Sequence, residues 1–123
     1  MATEQINISP EFVSTDATPF VSLVVPLSPG QAVRTSVMVL AMCDTGNAAS
    51  WYLEATYARV GDTLHAIGFV KDQGITDVVS KNWDVSVRPR AEEPGSLEMI
   101  FTGDAVHPVR WGVSGRFYIL SGS

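Results

Sequence analysis

Asp44-Thr45-Gly46 is the stretch of this 123-residue chain whose residue types come nearest to chemistry. Two carboxylates held close together share one proton, so that one acts as acid and the other as base. One chain supplies one Asp44, so such chemistry needs two copies meeting at this turn. The two histidines, His65 and His107, are far apart in sequence, and no further ligands stand at zinc spacing around either. They read as surface or interface histidines able to tune a contact with pH. Cys43 is the sole cysteine, which excludes an intrachain disulfide and a cysteine-based zinc site. Within Leu40-Ala41-Met42-Cys43 it reads as a small buried hydrophobe. Asp62, Asp72, Asp77, Glu92 and Glu93 are scattered through turns and do not form an alternating calcium loop. The glycines form no phosphate cradle ahead of a helix. Trp51, Trp83 and Trp111 would stack on sugars if exposed, but each is in phase with the inward residues of its own strand, so core packing is expected. These residues point to no catalytic group, no metal and no cofactor.

Composition narrows the partners. The net charge is −5, and of eight basic residues only Arg88 and Arg90 stand close together. A protein that tracks nucleic-acid phosphates needs clustered Lys and Arg, so no nucleic-acid partner is expected. No apolar run approaches the length of a membrane span, so no membrane insertion is expected. The start, Met-Ala-Thr-Glu-Gln, lacks the basic and apolar regions of a secretory signal, which points to assembly in a cytoplasm. Charged residues make up 17% of the chain, below the usual quarter, which leaves more surface for partners to cover.

The elements that position these residues are strands. Trp51–Val60 and Thr63–Val70 are two aromatic and β-branched runs flanking Gly61-Asp62. That is a two-residue hairpin signal, with Gly61 supplying the positive φ. If Val60 faces Thr63, strict alternation puts Trp51, Leu53, Ala55 and Tyr57 on a core face with Leu64, Ala66, Gly68 and Val70. The other face then gathers Tyr52, Ile67 and Phe69, more apolar than a solvated face needs. Those three residues are the expected oligomer or partner interface.

Val33–Met42 reads as a long strand. Val33, Thr35, Val37, Val39 and Ala41 lie on one side; Arg34, Ser36, Met38, Leu40 and Met42 lie on the other. The second side turns apolar towards its end, so that end is expected to be covered on both faces. Phe20–Val25, Trp83–Arg88, Leu97–Thr102 and Val109–Leu120 complete the clear strands. Ile6–Val13 is a weak strand candidate broken by Pro10, and Lys71–Asn82 reads as a loop with room for a short strand. No segment has a helical repeat. The expectation is a single all-β domain, an antiparallel, jelly-roll-like β-sandwich of about eight strands. Residues 1–32 would form an N-terminal arm with the first short strands, and 33–123 the sandwich core. The weakly patterned Ile6–Pro26 segment is expected to pack on a neighbouring protein, so deleting Met1 to Pro19 should spare folding.

Two resemblances follow. Asp44-Thr45-Gly46 resembles the active-site triplet of retroviral-type aspartic proteases, which are all-β and act as dimers. Asn47 departs from the small apolar residue that family prefers next, and Ile100-Phe101-Thr102-Gly103 leads into a loop where the family has a helix. The wider pattern runs from Trp51-Tyr52-Leu53-Glu54-Ala55 through Arg59-Val60-Gly61-Asp62 to Leu64-His65-Ala66-Ile67-Gly68. It continues with Asn82-Trp83-Asp84-Val85, Leu97 through Gly103, and Val109-Arg110-Trp111. This resembles a small β-sandwich module of tailed-bacteriophage virion proteins, of the tail-fibre, tail-spike and baseplate type, over roughly Val33 to Leu120. The resemblance implies a non-enzymatic structural or host-attachment role in the virion, commonly as a homotrimer beside other virion proteins. A capsid decoration protein and a fibre tip that binds host surface glycan are the alternatives it leaves open.

Overall fold

The computed structural model describes residues 2–75 and 82–122. Nine strands appear among them: β1 (Ala2–Ile8), β2 (Glu11–Ser14), β3 (Phe20–Pro26), β4 (Gln31–Cys43), β5 (Ala48–Val60), β6 (Thr63–Ile75), β7 (Asp84–Pro89), β8 (Ser96–Thr102) and β9 (Val109–Ser121). They make two antiparallel sheets. The large one runs β1-β9-β4-β5-β6, with β2 also on β9; the small one runs β3-β8-β7. The fold is the expected all-β sandwich. The ninth strand arises because Pro10 divides the first stretch in two. β1 pairs with the Gly115–Ser121 part of β9 and β2 with its Val109–Gly112 part. Proline has no N–H to give a ladder. The Pro10 carbonyl instead accepts from the Val113 N–H at 3.0 Å, which carries the edge across the break.

The N-terminal segment is therefore built into the chain's own sandwich and does not stand off as an arm for a neighbour. β1 and β2 are hydrogen-bonded to β9, and β3 to β8. Phe12 on β2 shows how firmly. Its ring meets Phe20 at 5.4 Å, Phe101 at 4.9 Å and Trp111 at 6.3 Å, bridging the two layers.

The core follows the period-2 pattern. Val33, Val37, Val39 and Ala41 of β4, Trp51, Leu53 and Ala55 of β5, and Trp111, Val113, Phe117 and Ile119 of β9 face Val85, Val87, Leu97, Met99 and Phe101 of the small sheet. Polar groups caught inside are mostly satisfied, because an unpaired buried one is costly. The Thr35 hydroxyl donates to the Ala55 carbonyl at 3.3 Å and accepts from the Ala55 N–H at 3.2 Å. The Trp111 indole N–H donates to Ser14 Oγ at 2.9 Å and that of Trp83 to Asp104 Oδ2 at 3.2 Å. The Trp51 indole N–H has no partner, although its ring stacks on Trp111 at 5.6 Å.

The hairpin turns as its sequence requires. Gly61 has φ of 62° and Val60 pairs with Thr63. The alternation then breaks. A bulge opposite Thr56–Tyr57 puts one extra residue, Ile67, into β6, so that Tyr57 pairs with Ala66 but Thr56 pairs with Gly68. Beyond a bulge the faces of a strand exchange. Phe69 lies opposite Ala55, Lys71 opposite Leu53 and Asp72 opposite Tyr52. Lys71 confirms the exchange by reaching across to Asp84 of the small sheet at 2.5 Å.

Candidate functional site

The Asp44-Thr45-Gly46 triplet is the reversal between β4 and β5. Gly46 has φ of 89°, its N–H donates to the Cys43 carbonyl at 3.1 Å, and the Cys43 N–H donates to the Asn47 carbonyl at 3.0 Å. Asp44 is exposed, and within the chain His107 Nδ1 lies 3.6 Å from its carboxylate. Cys43 is buried, with its sulfur 2.8 Å from Thr45 Oγ1. In this chain the triplet acts as a turn.

His107 stands in a loop ordered by Asp104. Asp104 Oδ1 accepts from the N–H groups of Val106 at 2.8 Å and His107 at 3.0 Å. Those two donors, the His107 N–H first, hold the Asp104 carboxyl below its ordinary range. The arrangement locks the β8–β9 loop against Trp83. No three His, Cys, Asp or Glu side chains gather at metal-binding distance among the described residues. Each of the three tryptophans is at most 2% exposed, so none offers a platform to a sugar.

The residues expected to form one interface are separated. Tyr52 lies on the outer face of the large sheet, between Met38 of β4 and Asp72 of β6. Phe69 points to the other face, opposite Ala55, and Ile67 sits at the bulge. Both are exposed, but with Tyr52 they make no single surface. The inserted residue is the cause.

A contiguous bare apolar surface lies elsewhere. On the outer face of β4, Met38 is 59%, Leu40 59% and Met42 51% exposed, and Val13 of β2 is 57% exposed nearby. Sequence patterning expected this end of β4 to be covered on both sides; within the chain it is covered on one. The three side chains form a ridge that stands highest at Leu40, whose neighbours are small. Leu40 stands between Gly112 and Ser50, and Met38 between Ser114 and Tyr52. An open groove of about 790 Å³ follows, walled by Ser9 and Glu11 on one side and Asp72, Gln73 and Gly74 on the other.

A polar chain borders the ridge at its far end. Arg34 Nη2 donates to Glu54 Oε2 at 3.0 Å, the Tyr52 hydroxyl donates to Glu54 Oε1, and Ser36 Oγ lies 3.1 Å from that hydroxyl. Glu54 is held ionised below its ordinary range, by the Tyr52 hydroxyl first and then by Arg34. The arrangement fixes the Tyr52 ring beside Met38.

No family model and no curated protein sequence matches the chain. Among solved structures, the fold is similar to part of the tailspike protein of Acinetobacter phage vB_ApiP_P1. The TM-score is 0.51 at 15% identity, over 93% of this chain and 22% of that one. The chain thus spans under a quarter of the tailspike's length, and what it shares with that phage tail protein is a β fold.

Proposed function

We propose that this chain is a non-enzymatic structural protein of a tailed-phage particle, a tail-associated subunit that assembles with copies of itself and with other virion proteins. The observation that carries the reading is that nearly the whole chain follows the fold of one segment of a phage tailspike. Two features support an assembling role. The ridge of Met38, Leu40 and Met42 is a contiguous exposed apolar patch of the kind that marks protein contacts. The chain is also poor in charge, 17% of its residues, which leaves more surface for partners to cover. The glycan-binding alternative loses its footing with all three tryptophans inside the core.

The test is mass spectrometry of particles purified on a density gradient after induction of the strain that encodes the chain. The reading expects the chain to co-sediment with particles at a fixed ratio to the major tail proteins. Its absence from clean particles would overturn the reading.

A further inference from the structure

The outer face of β4 has the alternation of a strand covered on both sides, yet the chain covers one. The missing cover has a shape that can be read from the register. The ridge Met38–Leu40–Met42 runs beside a trench on β9 formed by Gly112 and Ser114, directly opposite Leu40 and Met38. Ridge and trench lie on adjacent strands and share two rows, Met38 with Ser114 and Leu40 with Gly112; at Met42 the trench ends on Arg110. Such a surface is complementary to itself, which is what an isologous contact requires.

We propose that this face is a dimer interface, in which a second copy packs its ridge into this trench about a two-fold axis running along the strands between β4 and β9. This rests on the assembly reading above and gives it a surface. Two sheets packed face to face stand about 10 Å apart. At the centre Leu40 of each copy lies over Gly112 of the other, and Met38 over Ser114. Val13 meets Ala48 across the axis, and Glu11 meets Ser50.

Charge and area fit the same arrangement. Arg116, Arg110 and Glu11 border the face, and none of the three makes an ion pair among the described residues. The two-fold axis carries Arg116 of one copy over Ser36 of the other, beside Glu54, whose single cationic neighbour is Arg34. Each copy thus brings an unpaired cation to the rim where the other holds an ionised carboxylate. β4, β5 and β9 are each thirteen residues long. With β1 and β2, which follow one another along β9, they span a face about 19 Å by 40 Å, or about 800 Å², from the usual strand spacing and rise. A stable interface takes about that area from each partner.

The trench permits a clean perturbation. A Cβ added at Gly112 meets nothing closer than the Leu40 carbonyl at 4.0 Å, so a side chain there fills the trench without disturbing the fold. The experiment is light scattering behind a sizing column on the full chain, for wild type, Gly112→Leu, Leu40→Glu and the β6 control Ile67→Glu. Near-ultraviolet circular dichroism of each variant reports the fold. The proposal expects a two-copy mass for wild type and for Ile67→Glu. Gly112→Leu and Leu40→Glu should fall to a single-copy mass with the wild-type aromatic spectrum. A single-copy or three-copy wild type would overturn it. So would a Gly112→Leu protein that stays paired, or loss of the pair in Ile67→Glu alone. A monomer found in purified particles would sink the interface and leave the virion reading standing; a dimer absent from particles would do the reverse.

Discussion

Phe12→Ala separates an N-terminal arm from an N-terminal pair of strands. In the structure Phe12 is half-buried and its ring touches Phe20, Phe101 and Trp111, so the substitution removes a plug between the layers. Truncating a buried Phe costs about 3 to 5 kcal/mol, and the partial exposure of Phe12 puts it at the lower end, about 3 kcal/mol. Unfolding entropy near 2.1 cal/mol/K per residue gives about 0.26 kcal/mol/K for this chain length, so Tm should fall by about 12 °C. Differential scanning calorimetry at fixed protein concentration reads this directly. The fixed concentration matters because self-association also raises Tm. A fall of less than about 3 °C would mean that β2 contributes little to the fold, and the docking of the first strands onto β9 would be wrong.

Gly115→Ala should destabilise by about 1 to 3 kcal/mol, seen as a lowered urea midpoint, because overpacking forces backbone to move. A Cβ there would stand 2.5 Å from the Ser36 carbonyl oxygen and 2.8 Å from Val37 Cα. Asp104→Asn should loosen the β8–β9 loop and cost about 2 kcal/mol at neutral pH, since three donors lose their charged acceptor. The folded Asp104 carboxyl lies below its ordinary value of 3.8, so its contribution is present above that pH and is lost as pH falls through the lower folded value. Thermal melts from pH 7 to 2 should therefore show a smaller acid loss in Asp104→Asn than in wild type. Asp44→Asn, which touches one exposed contact with His107, should change stability by less than about 1 kcal/mol in the same melts.

Local chemistry was legible in the sequence and non-local pairing was not. Gly61-Asp62 announces its hairpin because positive φ is a property of one residue, and the inward sets of β4, β5 and β9 follow from alternation alone. The bulge at Ile67 is signalled only by Gly68 beside it, an isolated glycine inside a strand pattern, which strict alternation overlooks. One extra residue sends Phe69 to the opposite face from the one alternation assigns. The role of β1 and β2 was hidden for another reason. Glu11 pairs with Gly112, a hundred positions away, and nothing within Ile6–Val13 records that an edge of β9 is waiting. Asp44-Thr45-Gly46 was ambiguous because a reactive triplet and a tight turn draw on the same residues. Here it forms the reversal between β4 and β5, with His107 beside Asp44.

Two of the apolar regions exposed among the described residues differ in kind. β6 exposes Ile67, Phe69 and Val70 on a strand at the sheet edge. It also carries a bulge, and Lys71 anchored to Asp84, which are among the devices by which sheets blunt their edges against another strand. The outer face of β4 has no such protection. Met38, Leu40 and Met42 succeed one another along one row with no charge between them, and Gly112 and Ser114 leave room beside them for side chains of the same size. A face that only had to stay in water would break that row with a charge. Charges stand around it, Arg110 beside Met42 at one end, Arg116 beyond Met38 at the other and Glu11 across Gly112, while Leu40 and Met38 stand beside Gly112 and Ser114. An apolar centre inside a charged border is the layout of an interface core with its rim, and it assigns the contact to the face of the large sheet, not to its edge.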